Sequence, residues 1–506
     1  MNRNLRQLYN GRAIACTSIP CLGQDDFLQT MLDLCDHGWR VSAYFGVVEG
    51  DATALYALLS APLDGLLGVM KTLCNGPVMP SIARLCPQVQ LFEREIAEQY
   101  GIRFEGHPWF KPVRFVASQV AGRDAWGRPA DQPIKVGVMD YYQVAGEEVH
   151  EVAVGPVHAG VIEPGHFRFQ CYGEQVFHLE ISLGYQHRGI EQLLQGGPHP
   201  TTLRQMEAVA GDTSIGHGQA YCMVLESLSG TRVPAAAEAL RGIALELERL
   251  ANHTGDLGAI AGDVGYLPTS SFCGRIRGDF LNMTALLCGS RFGRGLLRPG
   301  GTGFGLDQAQ RDELLQRLAT GRQELTSAIE LLWDTPSVMS RLEGTGTVTE
   351  QTARELGLVG PAARASGLKR DVRSDYPFGM YRMAQVPIVT EQHGDVCARS
   401  QVRWQEAQKS LDFCEEQLRQ LPGGSCCAEP AALQADHLAV SLTEGWRGEI
   451  CHIAITGADG RFKRYKIVDP SFHNWQGLAM ALRNEQISDF PLCNKSFNLS
   501  YCGFDL

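Results

Sequence analysis

The sequence predicts an α+β protein with a small α/β N-terminal domain and a large, mainly helical domain with peripheral β-strands. Apolar residues recur with helical spacing in five segments, namely 25–37, 234–263, 279–289, 308–333 and 402–421. Alternation or short apolar runs indicate strands in three others, namely 40–48, 151–183 and 437–468. The patterns at 308–333 and 402–421 are typical of amphipathic helices in a bundle.

The chain has 506 residues, enough for two or more domains with a large core. We expect the small domain to span residues 1–115, where 88–101 is predicted to form a short strand and a helix ending at Gly101. Residues 116–147 are rich in glycine, proline and polar side chains and are interpreted as a linker. The large domain is expected at 148–506, with a helix opening at Gly184–Glu191.

Composition narrows the class of protein. Hydrophobic residues make up 44% and charged residues 20%, as in ordinary globular proteins. The net charge of −11 argues against a role in nucleic-acid binding. The sequence has neither an uncharged apolar run of about 18 residues nor a signal-peptide pattern, so we expect no spanning helix of its own. The protein should stay in the cytosol unless a partner holds it to a membrane.

Sixteen cysteines are scattered through the chain, and no two of them form a Cys-x-x-Cys motif. Structural zinc and iron–sulfur sites usually have tighter spacing. The cysteines are therefore expected to be reduced, partly buried thiols, although ligands drawn from distant positions stay open.

Residues 206–217 read Met-Glu-Ala-Val-Ala-Gly-Asp-Thr-Ser-Ile-Gly-His and are interpreted as a tight turn leading into a helix from His217 to about Leu228. Polar groups and two glycines stand among apolar residues, which is typical of a buried turn at a site. An acid beside histidines in such a turn is expected to have a perturbed pKa. Asp212 and His217 are therefore candidates for handling protons or binding a small polar ligand.

Three charged residues, Glu246, Arg249 and His253, share one face of the helix predicted at 234–263. An ordinary solvated stripe is one interpretation. Apolar neighbours such as Ile243 and Leu247 favour the other, a buried ionic row, which would need partners inside the protein.

One cluster in the small domain combines Glu93-Arg94-Glu95, Gly101-Ile102 and Phe104-x-Gly106-His107-Pro108. It resembles the signature of the 30-kilodalton type peripheral-arm subunit of respiratory complex I, a domain also found fused in group 4 nickel–iron hydrogenases. The resemblance implies a scaffold without redox chemistry. His107 has no partnering base or nucleophile and is not a catalytic candidate.

An ordered series of short motifs over about 350 residues marks the large domain. The motifs are Gly155-Pro-Val-His158, Glu163-Pro-Gly-His-Phe-Arg-Phe169, His187-Arg-Gly-x-Glu191, Glu246-x-x-Arg249-x-x-x-His253, Gly289-Ser-Arg-Phe292, Pro299-Gly-Gly301, Arg364-Ala-Ser-Gly367, Asp371-Val-Arg373, Tyr376-Pro377, Gly394-Asp-Val396, Glu444-x-x-Arg447-Gly448 and Asp469-Pro470. The series resembles the large subunit shared by nickel–iron hydrogenases and complex I, which implies a hydrogenase-large-subunit-like fold. The second and third motifs point to the group 4, energy-converting branch.

The resemblance also shows what this sequence lacks. In nickel–iron enzymes of the family, two Cys-x-x-Cys pairs supply four soft thiolates. The corresponding positions here are Ala210, Thr213, Ser471 and Asn474. We therefore expect no metal and no cofactor to be bound by this chain, and no intact hydrogenase activity.

Complex I holds its quinone headgroup with a tyrosine and a histidine of this subunit, whose positions here are Gly211 and Ile162. The resemblance therefore does not imply that clamp, although quinone binding by other residues stays open. Several polar side chains remain in and near these motif positions, namely His158, Asp212, Thr213, His217, Ser471, His473 and Asn474. They are interpreted either as a site or as side chains that hydrogen-bond one another to fill a closed cavity.

The run after Asp469 continues through residues 489–506 and reads as an ordered segment packed on a neighbour. It resembles the ending of nickel-free "energy-converting hydrogenase related" complexes. The function this implies is a peripheral-arm subunit that couples electron transfer to ion translocation. The candidates for the coupling path are His187, Arg188, Glu191, Glu246, Arg249 and His253. Alternatives are a quinone-reducing module with altered headgroup contacts and a non-catalytic scaffold.

Partners are implied by the resemblance alone. They are a small subunit that carries the iron–sulfur clusters and integral membrane subunits of the antiporter or complex I type. The expected location is the cytoplasmic face of the inner membrane.

Overall fold

The computed structural model describes residues 4–129, 131–158 and 162–506. Helices account for 43% and strands for 19% of it, which confirms the mixed α+β class. The N-terminal elements are β1 (Arg6–Leu8), β2 (Arg12–Ala15), β3 (Cys21–Leu22), α1 (Gln24–Asp36), β4 (Arg40–Glu49), β5 (Ala52–Ala61), β6 (Leu66–Cys74), β7 (Val78–Pro80), α2 (Gln90–Tyr100) and β8 (Arg103–Glu105).

Described residues from 106 to 148 contain no helix or strand. The remaining elements are β9 (Val149–Val154), β10 (His166–Tyr172), β11 (Gln175–Ser182), α3 (Ile190–Leu193), α4 (Thr202–Met206), α5 (Ser214–Ser229), α6 (Ala235–Asp263), α7 (Leu267–Cys288), β12 (Leu297–Arg298), β13 (Gly301–Thr302), α8 (Gln308–Trp333), α9 (Pro336–Leu342), α10 (Glu350–Glu355), α11 (Gly360–Ala365), α12 (Val372–Asp375), α13 (Val396–Arg419), β14 (His437–Gly445), β15 (Gly448–Thr456), β16 (Phe462–Val468), α14 (Pro470–Ala481), α15 (Phe490–Phe497) and α16 (Tyr501–Asp505).

The N-terminal sheet has the strand order β1-β6-β5-β4, and β3 runs parallel to β6. The predicted helix and strand at its start are confirmed as α1 and β4. The strand predicted before α2 is wrong, because Pro87–Val89 forms one 3₁₀ turn. Helix α2 ends at Gly101 as predicted, where φ is +64° and a Cβ would lie 2.5 Å from Cβ of Arg123, so glycine is required.

A second sheet joins sequence-distant parts of the chain. Its order is β16-β15-β14-β2, and Leu438 of β14 lies opposite Ile14 of β2. The N-terminal residues therefore complete a sheet whose other strands come from residues 437–468. A third sheet, with the order β11-β10-β9, contains the strands predicted at 151–183.

The helical part is built around α6, which packs against α7 and α13. Helices predicted at 234–263 and 308–333 are confirmed as α6 and α8. The helix predicted at 279–289 is only the second half of α7, and the helix predicted to open at Gly184 begins at Ile190. None of the described helices combines the length and apolar character needed to cross a membrane.

Glu246 and Arg249 of α6 belong to a buried ionic row, and His253 lies beside them with a pKa that burial lowers to about 4, so the solvated-stripe interpretation is wrong. Glu246, Arg249 and His253 are each 0% exposed. Their partners come from α13 and α12. Arg249 Nη2 lies 2.5 Å from Glu406 Oε2 of α13, and Glu246 Oε1 lies 3.0 Å from Arg373 Nη1 of α12. Because a buried charge is costly unless it is paired, these contacts fix how the helices pack.

Glu406 holds this row together, because it also lies 2.6 Å from Arg364 Nε. Glu406→Gln leaves Arg249 and Arg364 with one carboxylate fewer in the interior and should lower the free energy of unfolding by about 3–5 kcal/mol. The matched control is Glu350→Gln, which breaks an exposed ion pair with Arg354 and should cost less than about 0.5 kcal/mol. Denaturant unfolding of both variants measures the difference. Equal losses would contradict this account of the row.

Candidate functional site

The first pair of ligand-type positions lies at the N-terminus of α5, which begins at Ser214 and not at His217 as predicted. Ala210 and Thr213 are buried. The Thr213 hydroxyl donates to Asp212 Oδ1 over 3.1 Å and accepts from the indole N–H of Trp446 over 3.2 Å. The hydrogen bonds of Thr213 are thus made within the chain, and Ala210 offers only a methyl group.

The second pair lies in the first turns of α14. Ser471 and Asn474 are buried, with 0% and 1% exposure. The Ser471 hydroxyl oxygen accepts from the backbone N–H of Ser500 over 2.9 Å. The Asn474 amide accepts from the backbone N–H of Val359 and donates to its carbonyl, each over 3.0 Å. Both side chains of this pair therefore also make their hydrogen bonds within the chain.

His217 connects the two pairs. Its Nε2 lies 3.0 Å from Oδ2 of Asp469, which precedes α14, and its Nδ1 lies 3.0 Å from Nε2 of His452 in β15. Nδ1 of His452 in turn lies 2.9 Å from the hydroxyl of Tyr465 in β16. All four side chains are buried. We call this continuous chain of hydrogen bonds the relay.

The surroundings set the protonation of the relay. Burial opposes ionisation of Asp469, but the hydrogen bond from His217 and the charge of Arg447 prevail and lower its pKa. Burial, followed by the neighbouring His217, lowers the pKa of His452 far below its ordinary value, and burial raises that of Tyr465. With Asp469 ionised, its carboxylate accepts from His217 Nε2–H, whereas the donors of the other two contacts are set by the tautomers of the two histidines.

Asp212 lies beside the relay in a two-pronged ion pair. Its carboxylate oxygens are 2.6 and 2.8 Å from Nη1 and Nη2 of Arg447, whose guanidinium lies 3.8 Å from the ring centre of Trp446. Burial acts to raise the pKa of Asp212, but Arg447 outweighs it and lowers the pKa. The Asp212 side chain is 34% exposed, so this end of the site reaches the surface.

Glu248 of α6 holds the start of α5. Its carboxylate oxygens accept from the backbone N–H groups of Ile215 and Gly216 over 2.7 and 3.1 Å. It has no ion-pair partner among the described residues. Burial raises its pKa to about 8, and the charge of Asp212 adds to this effect.

Residues 498–506, here called the C-terminal segment, pack against the Asp469 end of the relay. A Cβ at Gly503 would lie 2.6 Å from Cγ of Asp469, so the backbone itself closes over this carboxylate. The Leu506 carbonyl accepts from the backbone N–H groups of Arg188 and Gly189 over 2.8 and 3.1 Å. Burial raises the pKa of the Cys502 thiol to about 11, so this cysteine near the site is protonated at neutral pH.

Two predicted coupling residues anchor this segment. The Arg188 guanidinium donates to two carbonyl oxygens of the loop before α5 and, over 2.9 Å, to the Cys502 carbonyl. Nδ1 of His187 lies 2.6 Å from the Asp505 carbonyl. The structure therefore gives Arg188 and His187 contacts to the segment that packs against Asp469.

The other predicted site residues point elsewhere. Glu191 pairs with Arg464 and Lys466 over 2.8 and 3.0 Å. Nε2 of His158 lies 3.0 Å from the Gly165 carbonyl in the loop between β9 and β10. His473 faces the N-terminal sheet, with Nε2 3.4 Å from Nη1 of Arg40.

His452 and Tyr465 were not among the residues predicted from the sequence. The strand register explains their meeting: His452 is paired with Ile467 and Tyr465 with Ala454, so the two side chains are diagonal neighbours on one face of β15 and β16. Alternation in both predicted strands was the available signal. The register that brings them together depends on tertiary structure.

The nickel–iron centre that the fold family implies does not fit these residues. The four ligand-type positions offer a methyl group, two hydroxyls and an amide, and the three polar ones already bond within the chain. Nickel and low-spin iron need soft, deprotonated sulfur. In the part of the chain that the structure describes, no three His, Cys, Asp or Glu side chains are grouped to hold a metal ion.

Comparison with known families defines the class. Residues 23–123 match the respiratory-chain NADH dehydrogenase 30 Kd subunit, and residues 263–438 match the 49 Kd subunit of the same enzyme. The chain is thus a subunit of the NADH dehydrogenase or hydrogenase-like class of oxidoreductases. It joins in one polypeptide two regions that match two different subunits of NADH dehydrogenase.

Individual relatives identify the branch. The carbon monoxide-induced hydrogenase of Rhodospirillum rubrum is 33% identical over 69% of this chain and 97% of that protein. Formate hydrogenlyase subunit 5 of Escherichia coli is 31% identical over 84% and 77%, and hydrogenase-4 component G of Escherichia coli is 29% identical over 92% and 83%. The chain belongs to the family of group 4 membrane-bound hydrogenase subunits.

Because the pKa of Glu248 is raised in the folded protein, the free energy of unfolding should depend on pH. Between about pH 4.5 and 8, the folded protein holds a proton on Glu248 that the unfolded chain has released. Stability contributed by this group is therefore fully present below pH 4.5 and is lost as pH rises towards 8. Glu248→Gln should make the slope of unfolding free energy against pH less negative by up to ~1.4 kcal/mol per pH unit.

Denaturant unfolding across this pH range measures the slope. Glu313→Gln, an exposed change on α8, is the matched control and should leave it at the parent value. An unchanged slope in Glu248→Gln would show that the carboxyl is ionised in the folded protein throughout this range.

Proposed function

We propose that this chain is the peripheral-arm subunit of a membrane-bound, hydrogenase-like oxidoreductase and that it works without a nickel–iron centre. In this proposal it couples electron arrival in a partner's iron–sulfur clusters to ion translocation by membrane subunits. The observation that carries the proposal is the relay, whose His217–Asp469 bond joins the two helices that follow the ligand-type pairs or carry them.

The donor set supports the loss of the metal. Four thiolates are replaced by side chains that cannot release a proton near neutral pH. The three polar side chains at these positions are already hydrogen-bonded within the chain. Binding nickel would break several of these buried hydrogen bonds, and each is costly to leave unmade.

The relay supports a role in proton movement. When negative charge arrives near the exposed end of the site, the pKa of Asp469 rises and its carboxylate takes the proton from His217 Nε2. In the same concerted step His217 Nδ1 accepts a proton from His452 Nε2, and His452 Nδ1 accepts one from Tyr465, so neither histidine loses a proton without gaining one. The proposed starting state has both histidines neutral, with Tyr465 donating to His452 and His452 to His217. One proton supplied to Tyr465 restores the hydroxyl, so the net result is one proton moved from the Tyr465 end to Asp469.

The names of the relatives support the assembly. One is a membrane-bound hydrogenase subunit alpha of Pyrococcus furiosus, 28% identical over 69% of this chain. Within the proposal, this chain lies at the cytoplasmic face of the inner membrane and is held there by its partners. A small iron–sulfur subunit would meet the exposed end of the site near Asp212.

A non-catalytic scaffold is the second candidate function. The observation in its favour is that the polar groups at Thr213, Ser471 and Asn474 all bond within the chain. In that case the relay would only stabilise the junction between α5 and α14.

Removal of one hydroxyl separates the two functions. Tyr465→Phe keeps the buried ring but breaks the relay at His452, and should slow proton-coupled electron transfer by the purified complex about tenfold or more. The measurement is electron transfer from a low-potential donor together with acidification or alkalinisation of membrane vesicles. Tyr44→Phe is the matched control, since Tyr44 is equally buried but its hydroxyl lies 3.9 Å from Met79 Sδ, away from the relay. Full activity of assembled Tyr465→Phe and His452→Gln complexes would favour the scaffold.

A further inference from the structure

A cavity of about 380 Å³ lies where α2, β11 and α14 meet, at the junction between the N-terminal region and the rest of the chain. Its wall is mainly apolar, with Leu91, Val113, Ile181, Leu183 and the indole of Trp475 among the lining residues. The size and the apolar character match those of small-ligand sites, which also carry a few placed polar groups.

One such polar group is the indole N–H of Trp475. The side chain is 3% exposed, and its Nε1 has no hydrogen-bond partner within the described part of the chain. Nε2 of His178, also in the lining, is likewise buried and unpartnered among the described residues. Because buried donors are normally satisfied, an N–H left open at a cavity wall points to an acceptor on a ligand.

The charge of the wall is positive. Arg94 of α2 is only 8% exposed, yet its nitrogens bond to neutral oxygens: the Lys111 carbonyl over 2.8 Å, the Pro112 carbonyl over 2.9 Å and the Gln90 amide over 3.5 Å. Burial lowers the pKa of Arg94 to about 10, so it stays charged at neutral pH. The charges of Glu180 and Glu98 act on Arg94, but neither carboxylate bonds to its guanidinium.

The other charged residues that line the cavity do not neutralise the positive charge of its wall. Arg84 and Arg483 are exposed and have no ion pair among the described residues. Glu180 is the one carboxylate in the lining, and it already bonds to Lys111 over 2.6 Å and to the backbone N–H of Tyr142 over 2.8 Å. The Trp475 N–H is an open donor, and Arg84 and Arg483 are open cations, so these groups match an acceptor with negative charge.

We propose that this cavity binds an amphipathic carboxylate, with its apolar chain against the wall and its carboxylate towards the arginines and the Trp475 N–H. The site is independent of the proposed relay function. It also gives a use to Arg94, part of the Glu93-Arg94-Glu95 motif, beyond its contacts to the chain at residues 111–112. Because Trp475 follows Asn474 on α14, a ligand here touches the helix that Asp469 caps.

Binding of dodecanoate to the full chain, below its micelle concentration, tests the proposal. Titration calorimetry should show saturable binding at a stoichiometry of one, with methyl dodecanoate weaker by about tenfold. Leu91→Trp fills the cavity and should abolish binding. Arg483→Gln removes an exposed cation and should weaken binding about threefold, whereas Arg103→Gln, an exposed arginine outside the cavity, should not.

Trp475→Phe removes the N–H together with the pyrrole part of the indole. If the N–H binds the carboxylate, this variant should narrow the difference in affinity between dodecanoate and its methyl ester, which tests the donor even if Leu91→Trp fails to fold. Equal affinity for dodecanoate and its methyl ester would overturn the proposal of an anionic ligand. Unchanged binding in folded Leu91→Trp would overturn the cavity as the site. Absence of binding in the parent protein would also overturn it and would leave an acidic segment of a partner subunit as the occupant to test.

Discussion

The hydrogen bond between His217 and Asp469 is the contact on which the candidate site depends. It joins the start of α5 to the start of α14, two elements about 250 residues apart in sequence. Asp469 also caps α14 by accepting from the Ser471 N–H over 2.8 Å, and the backbone at Gly503 packs against it. Loss of this contact would therefore loosen both ligand-type pairs and the C-terminal segment together.

The hydrogen bonding at the ligand-type positions follows from the free-energy cost of leaving buried polar groups unpaired. Once thiolates are absent, each remaining hydroxyl and amide needs a partner, and the chain supplies one in every case described above. Thr213 bonds to Trp446, Ser471 to Ser500 and Asn474 to Val359. The same rule makes the Trp475 N–H notable. It has no partner among the described residues, and its side chain lies in the lining of a cavity on the helix that also carries Ser471 and Asn474.

Periodicity was enough to predict most of the fold. Long helices such as α6 and α8 and the strands from 437 to 468 were predicted because one face repeats over many residues. Boundaries set by local turns were less predictable: the N-terminus of α7 and the 3₁₀ turn at Pro87–Val89 carry no periodic signal. Pairing of β2 with β14 was also missed, because contacts over 400 residues leave no local pattern.

The candidate site was predictable only in part. Motifs located Asp212, His217 and the four ligand-type positions, since each lies in a short, distinctive run. His452 and Tyr465 were missed because their meeting depends on strand register, and Glu248 because its partners are backbone N–H groups. His158 and His473 were expected near the others, but their rings turn towards Gly165 and Arg40.

The central claim is that hydrogen bonds have replaced a metal at this site. Nickel quantification on the full chain, purified with its partner subunits from cells that also load a nickel–iron hydrogenase, tests it most directly. The account predicts far less than one nickel per chain, at the level of an Ala210→Val variant. One nickel per chain, retained after dialysis against a chelator, would contradict it.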